Sequence, residues 1–281
     1  MRKSLKIGIV GAGRVGSNLA YWLSRNGYHI QAVYSRKFDS AKMLANAIPT
    51  GAVNDLQKIF ISCDTIFLAV PDGALVPIAE EIKEFSKSRA KILLHCSGMM
   101  PSSVLGLAGM EYRKASMHPI ASIPPLSTTQ NPFKNVIFGI EGDDEAVAIA
   151  GQMIEDLGGI AHRINPAQKA LYHSAALFAA NFVFVLAHIS QQLYEQCGFS
   201  QKLAKQNVEN LIRSALTGYA RHGMPQSMTG PVSRGDLQTV MAHLDALKDS
   251  DYREFYIIAS RVAAEIVGKE EMFEEIFNIH E

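Results

Sequence analysis

The sequence predicts an α/β domain on a mostly parallel sheet, residues 1–164, followed by an all-α domain, residues 165–281. Three observations predict it. Short apolar runs alternate with amphipathic helical segments as far as Ile164, which is the pattern of strand–helix–strand units around a parallel sheet. Asn165-Pro166 then reads as a helix N-cap followed by proline at the first helical position. Beyond that pair no strand-like alternation appears. A chain of 281 residues is long enough for two domains that each bury an apolar core.

The expected strands are 6–10, 29–34, 65–70, 91–95, 114–117, 136–140 and 160–163, with a weak one near Ala52. Between the first two, Val15, Leu19 and Leu23 recur at helical spacing, and Gly27 stands where a C-terminal cap belongs. The second half should hold a long helix from Pro166 to Gln196 with a break at Gly198. Helices at 200–219, 236–247 and 251–267 and a short terminal one follow, with a loop at 224–235. The most membrane-like stretch, 175–189, is shorter than the roughly 18 apolar residues of a span and is interrupted by Asn181 and His188. A buried helix is therefore expected, and no membrane partner.

Lys and Arg number 27, as do Asp and Glu, so no net positive field exists to draw a polyanion. Arg213, Arg221 and His222 in the helical half are too few to reverse that exclusion of nucleic acid. A small-molecule partner is the expectation. Cys63, Cys96 and Cys197 are odd in number and far apart, which fits neither a disulfide framework nor a zinc site. No metal is expected, and a reducing, cytoplasmic setting fits. The first apolar run, 7–10, has the length of a strand rather than of an export signal.

Gly11-Ala12-Gly13-Arg14-Val15-Gly16 follows the first expected strand and opens the first expected helix, the setting of a dinucleotide-binding Rossmann turn. Its first glycine permits the tight turn, its second the approach of pyrophosphate, and its third the packing of helix on strand. About 20 residues on, an NAD site usually carries a carboxylate for the ribose hydroxyls. This chain has Ser35, Arg36 and Lys37 there, a hydroxyl and two cations that suit a 2′-phosphate, so NADP is the expected cofactor. Val70-Pro71, closing the third clear strand, reads either as apolar contacts of the cofactor or as a structural turn.

His95-Cys-Ser97-Gly98, Ser116-Met-His118-Pro119, Tyr172-His173 and Thr229-Gly-Pro231-Val-Ser233-Arg234-Gly-Asp236 together resemble the proteins that join a Rossmann-like domain to DUF2520. That resemblance covers nearly the whole chain. It implies kinship with pyrroline-5-carboxylate reductase, ketopantoate reductase and the β-hydroxyacid dehydrogenases, hence NADP-linked reduction of a small oxo or imino acid. The lysine–asparagine pair of the β-hydroxyacid dehydrogenases does not carry over, because this helix offers Lys169 and His173, with Leu177 next in the stripe.

His95, Ser97, Gly98 and His118 fall at C-terminal strand ends, where an open parallel sheet binds ligands, and read as either substrate contacts or structural groups. The proline-containing stretch 122–134 reads as a substrate cover or an inert loop. By likeness to a carboxylate-holding loop of pyrroline-5-carboxylate reductase, Thr229, Ser233 and Arg234 are candidates to bind a substrate carboxylate, the alternative being a loop capped by Asp236. Positions 169, 173, 177 and 181 form one slowly drifting helical stripe. His173 is the candidate proton donor, Lys169 the alternate and Asn181 a polar partner, set against a core histidine. A homodimer and a non-catalytic NADP(H)-binding protein complete the expectations.

Overall fold

The computed structural model of the protein describes residues 4–85, 91–108 and 112–279. Its strands are β1 (Lys6–Val10), β2 (His29–Tyr34), β3 (Gly51–Val53), β4 (Thr65–Leu68), β5 (Ile92–His95), β6 (Arg113–Pro119), β7 (Ile137–Gly142) and β8 (Ile160–Arg163). They form one sheet in the order β3-β2-β1-β4-β5-β6-β7-β8, parallel throughout except where β6 meets β7. The order runs outward in both directions from β1 and β4, so the crevice beyond their C-terminal ends is where such a sheet takes ligands.

Both faces of the sheet are covered, which is why its strands are apolar runs rather than alternating ones. Ile7, Ile9, Phe67 and Leu94 pack on one face with Leu19 and Leu23 of helix α1 (Arg14–Arg25), Leu44 of α2 (Phe38–Ala47) and Ile154 of α5 (Asp144–Asp156). Val10, Ile66, Leu68 and Leu93 pack on the other, against Phe60 of α3 (Leu56–Ser62) and Leu75 and Ile82 of α4 (Asp72–Lys83). Each side chain is removed from water by its neighbour across the layer, a gain of about 1.5–3 kcal/mol apiece.

The stretch 122–134 is bound to α1. Asn18, fully buried on α1, donates from Nδ2 to the Pro124 carbonyl at 3.1 Å and accepts the Ser127 amide at 3.1 Å, while Trp22 Nε1 donates to the Ser127 carbonyl at 3.0 Å. Ile123 and Phe133 sink into the core beside it. This segment is a strap fastened along α1.

After β8, Asn165 caps a short 3-10 turn through the Ala167 amide, as its sequence foretold. The long helix expected from Pro166 to Gln196 is divided. Helix α6 (Lys169–Ala179) and helix α7 (Asn181–Gln196) are separated at Ala180, whose ψ of −62° comes with a φ of −117°. The chain divides into compact units at the same point, Met1–Ala180 and Asn181–Glu281, rather than at Asn165. The reason lies in α6, whose Lys169 and Tyr172 are hydrogen-bonded to the strands. A second expectation is also corrected: the apolar window of Pro166–Gln196, long and apolar enough to cross a membrane, is not buried within the chain.

In the second unit α8 (Gln201–His222), capped by Ser200, packs with α7. The short α9 (Pro231–Arg234), α10 (Leu237–Ala246), α11 (Arg253–Val267) and α12 (Glu270–Ile279) enclose a separate core of Val240, Leu244, Ile257, Phe273 and Phe277.

Replacing Asn18 by Ala removes the side chain that joins α1 to the strap and leaves the Ser127 amide without its acceptor. Urea unfolding should show a loss of about 1–3 kcal/mol, with faster hydrogen exchange at Ser127. An unchanged midpoint would mean that the strap is held without Asn18.

Candidate functional site

The fingerprint turn is built as its glycines require. Gly11 takes a φ of +105°, and a Cβ there would lie 2.3 Å from the Ala69 carbonyl oxygen. At Gly16 a Cβ would strike the Gly11 carbonyl oxygen, so this helix can lie on its strand only with glycine. Gly13 has nothing within 4 Å of where a Cβ would stand. That open side faces the start of α1, where no side chain caps the first amides and no acidic residue occupies the first turn. Unpaired amide donors with open space before them are what a pyrophosphate needs. The cradle therefore fits a dinucleotide.

Around it, the Gly11 amide donates to the Tyr34 carbonyl at 2.8 Å, which ties the turn to the end of β2. Ser35 follows half-buried, and Arg36 and Lys37 stand exposed before α2, with no ion pair among the described residues. Ala12 is half-buried, Arg14 is exposed, and Val15 packs at the edge of the core. Val70 lies against Gly11, and Pro71 is the exposed N-cap of α4, so both border the turn.

Farther along the same edge lies a buried polar cluster. Lys169, 1% exposed, donates from Nζ to the Ser97 carbonyl at 3.1 Å and to Ser116 Oγ at 2.5 Å, and stands 3.5 Å from Glu141 Oε1. Glu141 is equally buried and accepts the Ser102 amide at 2.7 Å and the Ser102 hydroxyl at 2.6 Å. Burial pulls the Lys169 pKa below the usual lysine value, and Glu141 opposes it. Ser97 is a turn former: its Oγ accepts the amides of Met99 and Met100, and its own amide donates to His95 Nδ1 at 3.1 Å. His95 is wholly buried beneath this turn, and desolvation, reinforced by Lys169, takes its pKa down to about 3. Burial likewise pushes the Cys96 thiol up to about 12, so it is no nucleophile.

Above the turn three rings meet. His118 Nδ1 lies 2.8 Å from the Tyr172 hydroxyl, and the rings of His118 and His173 are 5.9 Å apart, edge to face. A Cβ on Gly98 would stand 2.6 Å from His173 Nδ1 and 2.8 Å from His118 Nε2, so the two imidazoles converge only because this residue is glycine. His173 Nδ1 is buried with no hydrogen-bond partner among the described residues. Desolvation, then His173 and Lys169, lowers the His118 pKa to about 4, which keeps the ring neutral at pH 7.

The first unit thus brings together His95, Ser97, Gly98, His118, Lys169 and His173. The stripe read as reaching Asn181 is interrupted at Ala180, and Asn181 opens a different helix, exposed. In the second unit Thr229 and Arg234 are exposed, and the Ser233 hydroxyl donates to the Met228 carbonyl at 3.1 Å. Asp236 is the cap of α10, accepting the Thr239 amide and hydroxyl. These hold its carboxyl below the usual range, with Arg234 a lesser cause. The amides of Arg234, Gly235 and Asp236 donate to carbonyls within the loop. Sequence reading missed Glu141 and Ser102 and quoted Ser116 and Tyr172 only within motifs, without a role; a charged residue one place beyond the apolar run 136–140 was the available sign of the first.

The Rossmann-like domain family matches residues 1–113, and DUF2520, a domain of unknown function, matches residues 136–263. The chain is similar in fold to a presumptive NADP oxidoreductase of Bacteroides fragilis, with a TM-score of 0.74 and 23% identity over 94% of this chain and 100% of that one. It is also similar to Plasmodium falciparum pyrroline carboxylate reductase, determined with NADP bound, with a TM-score of 0.60 and 18% identity over 96% and 98% of the two chains. At these identities the likeness shows the fold. A stretch of 67 residues is 39% identical to glutamyl-tRNA reductase of Sulfolobus acidocaldarius, covering 24% of this chain and 16% of that protein. The chain thus matches about a sixth of the length of that curated relative.

The neutral histidines make stability depend on acid. In the unfolded chain His118 takes up a proton as pH falls through about 6.5, whereas in the folded protein it resists until about 4. Its contribution is present above pH 6.5 and is lost as the pH falls toward 4. Unfolding midpoints between pH 7 and 4.5 should fall more steeply for the wild type than for His118→Gln; equal slopes would contradict a buried neutral ring.

Proposed function

This chain joins a Rossmann-like domain to a DUF2520 domain, and on that premise we propose that it is an NADP-dependent oxidoreductase acting on a small oxo or imino acid. One observation carries the reading. An open dinucleotide cradle and a pair of converging imidazoles lie along the C-terminal edge of one sheet, in one compact unit. The amides that open α1 would hold the pyrophosphate, and Ser35, Arg36 and Lys37 would hold a 2′-phosphate. A bound nicotinamide supplies or accepts the hydride.

His173 exchanges the matching proton. In reduction its protonated imidazolium form would give a proton to the oxygen or nitrogen of the double bond whose carbon takes the hydride, leaving the neutral ring to be reprotonated from solvent. Lys169 has its Nζ enclosed by Ser97, Ser116 and Glu141, so it holds the turn while His173 does the transfer. Val70 and Pro71 offer apolar contact beside the cradle.

Titration of NADPH and NADH, joined to a screen of NADPH oxidation over small keto acids and cyclic imines, tests this. NADPH should bind roughly ten- to hundred-fold more tightly than NADH, Arg36→Ala should erase most of the difference, and His173→Ala should lower turnover about 10²-fold or more. Equal cofactor affinities reject NADP. Tight NADPH binding with no turnover of any compound favours a cofactor-binding sensor instead.

We further propose a homodimer formed through the apolar helices. Leu171, Phe178 and Phe184 are each about 70% exposed, and Leu211 and Leu216 of α8 are exposed as well. A second copy covers such surface without lipid, which would poorly suit the Asn181 and His188 that punctuate the same span. Light scattering in detergent-free buffer should give about twice 30.7 kDa, and Phe184→Lys should shift the mass toward one chain. A monomer at micromolar concentration, or a chain soluble only in detergent, rules this out.

A further inference from the structure

Two glycines, one in the turn after β5 and one on β7, make room for the three rings of the site. Gly139 of β7 is the cross-strand partner of His118, and a Cβ there would lie 2.5 Å from the Tyr172 hydroxyl and 2.7 Å from its Cζ. Tyr172 can therefore lie flat over the strand and reach His118 Nδ1 at 2.8 Å, with the rings at 80°. Its other contact, the His118 carbonyl, is at 3.5 Å, the limit of a hydrogen bond. The phenol has one proton to give, and the shorter contact takes it. Burial keeps the phenol protonated, its pKa raised to about 12.

A ring nitrogen that accepts from tyrosine is the unprotonated one, so the proton of a neutral His118 sits on Nε2. Nε2, with Cε1, forms the ring edge turned to Gly98, on the same side as the partnerless Nδ1 of His173. A ligand atom that came between the two rings would meet a fixed N–H donor on one side and the imidazole of His173 on the other.

We propose that Tyr172 is a positioning residue that fixes His118 as a hydrogen-bond donor toward the ligand, and that the two imidazoles at Gly98 thereby select a carbonyl oxygen, an oxo acid rather than an imino acid. A carbonyl oxygen accepts from His118 Nε2 and is polarised by it. A protonated imine has no lone pair to accept with and would set N–H against N–H. In the step itself a hydride from reduced nicotinamide adds to the carbonyl carbon, the π pair moves to oxygen, and oxygen takes its proton from His173 while His118 keeps its own. The choice of carbonyl rests on the oxidoreductase reading above, whereas the state of His118 does not.

Two-bond nitrogen–proton spectra of the full chain labelled with [15N]histidine, at pH 7 and without ligand, read the tautomer directly. His118→Gln assigns the resonance. The wild type should show His118 protonated at Nε2 alone, and Tyr172→Phe, which keeps the ring but removes its hydroxyl, should move the Nδ1 resonance and admit the second tautomer. A wild-type His118 protonated at Nδ1, or a Tyr172→Phe spectrum unchanged at His118, overturns the positioning role, and the wild-type result decides even if the variant does not fold. With NADPH, keto acids should be reduced at least about ten-fold faster than cyclic imines. Imines reduced equally well overturn the carbonyl assignment. Oxidation with neither class overturns that assignment and the oxidoreductase reading together, and leaves the tautomer to decide the role of Tyr172.

Discussion

The ammonium group of Lys169 is the point on which the site depends. It lies 1% exposed at the start of α6 and binds the turn after β5 through the Ser97 carbonyl, β6 through Ser116 and β7 through Glu141. Taking such a pair out of water costs several kcal/mol per ion, which its mutual attraction roughly offsets, so it adds little to stability by itself. Its effect is one of geometry. An ammonium with oxygens on three sides holds the segments that bear them in one arrangement, and the side chains three and four places farther along the helix, Tyr172 and His173, are carried into register with His118.

Absent side chains matter as much as present ones. Gly98 and Gly139 leave the volume that His118, Tyr172 and His173 fill, and Gly11, Gly13 and Gly16 leave the volume before α1. At each of these but Gly13, backbone or ring approaches to a distance that a Cβ would forbid. The site is thus a set of gaps in the C-terminal edge of a sheet whose two faces are closed by packing. Low dielectric follows from that packing, and it holds His95 and His118 neutral.

The second unit has a different physical character. Helices α9 to α12 enclose a small core, whereas α7 has no buried residue and α8 buries only Ala204 and Val208. Apolar residues at helical spacing say that a face must be covered, and they do not say by what. The same periodicity serves a helix in a core and a helix between two chains.

The sequence by itself determined the sheet. Apolar runs of four to six residues, the glycines of the first turn and the Asn165-Pro166 cap are local signals, because strand propensity, a tight turn and an N-cap depend on neighbours along the chain. The strand bounds accordingly agree to within two residues, and Ser35 to Lys37 stand where the spacing put them. Tertiary structure alone decided the break at Ala180, the strap on α1, the pairing of Lys169 with Glu141 and the contact of Tyr172 with His118. The strap, the ion pair and the tyrosine contact depend on groups far apart in sequence meeting in a space whose shape exists only once the sheet has formed. A lysine in an apolar helix looks the same in sequence whether it faces solvent, a ligand or a buried carboxylate, and only the partner's position distinguishes them.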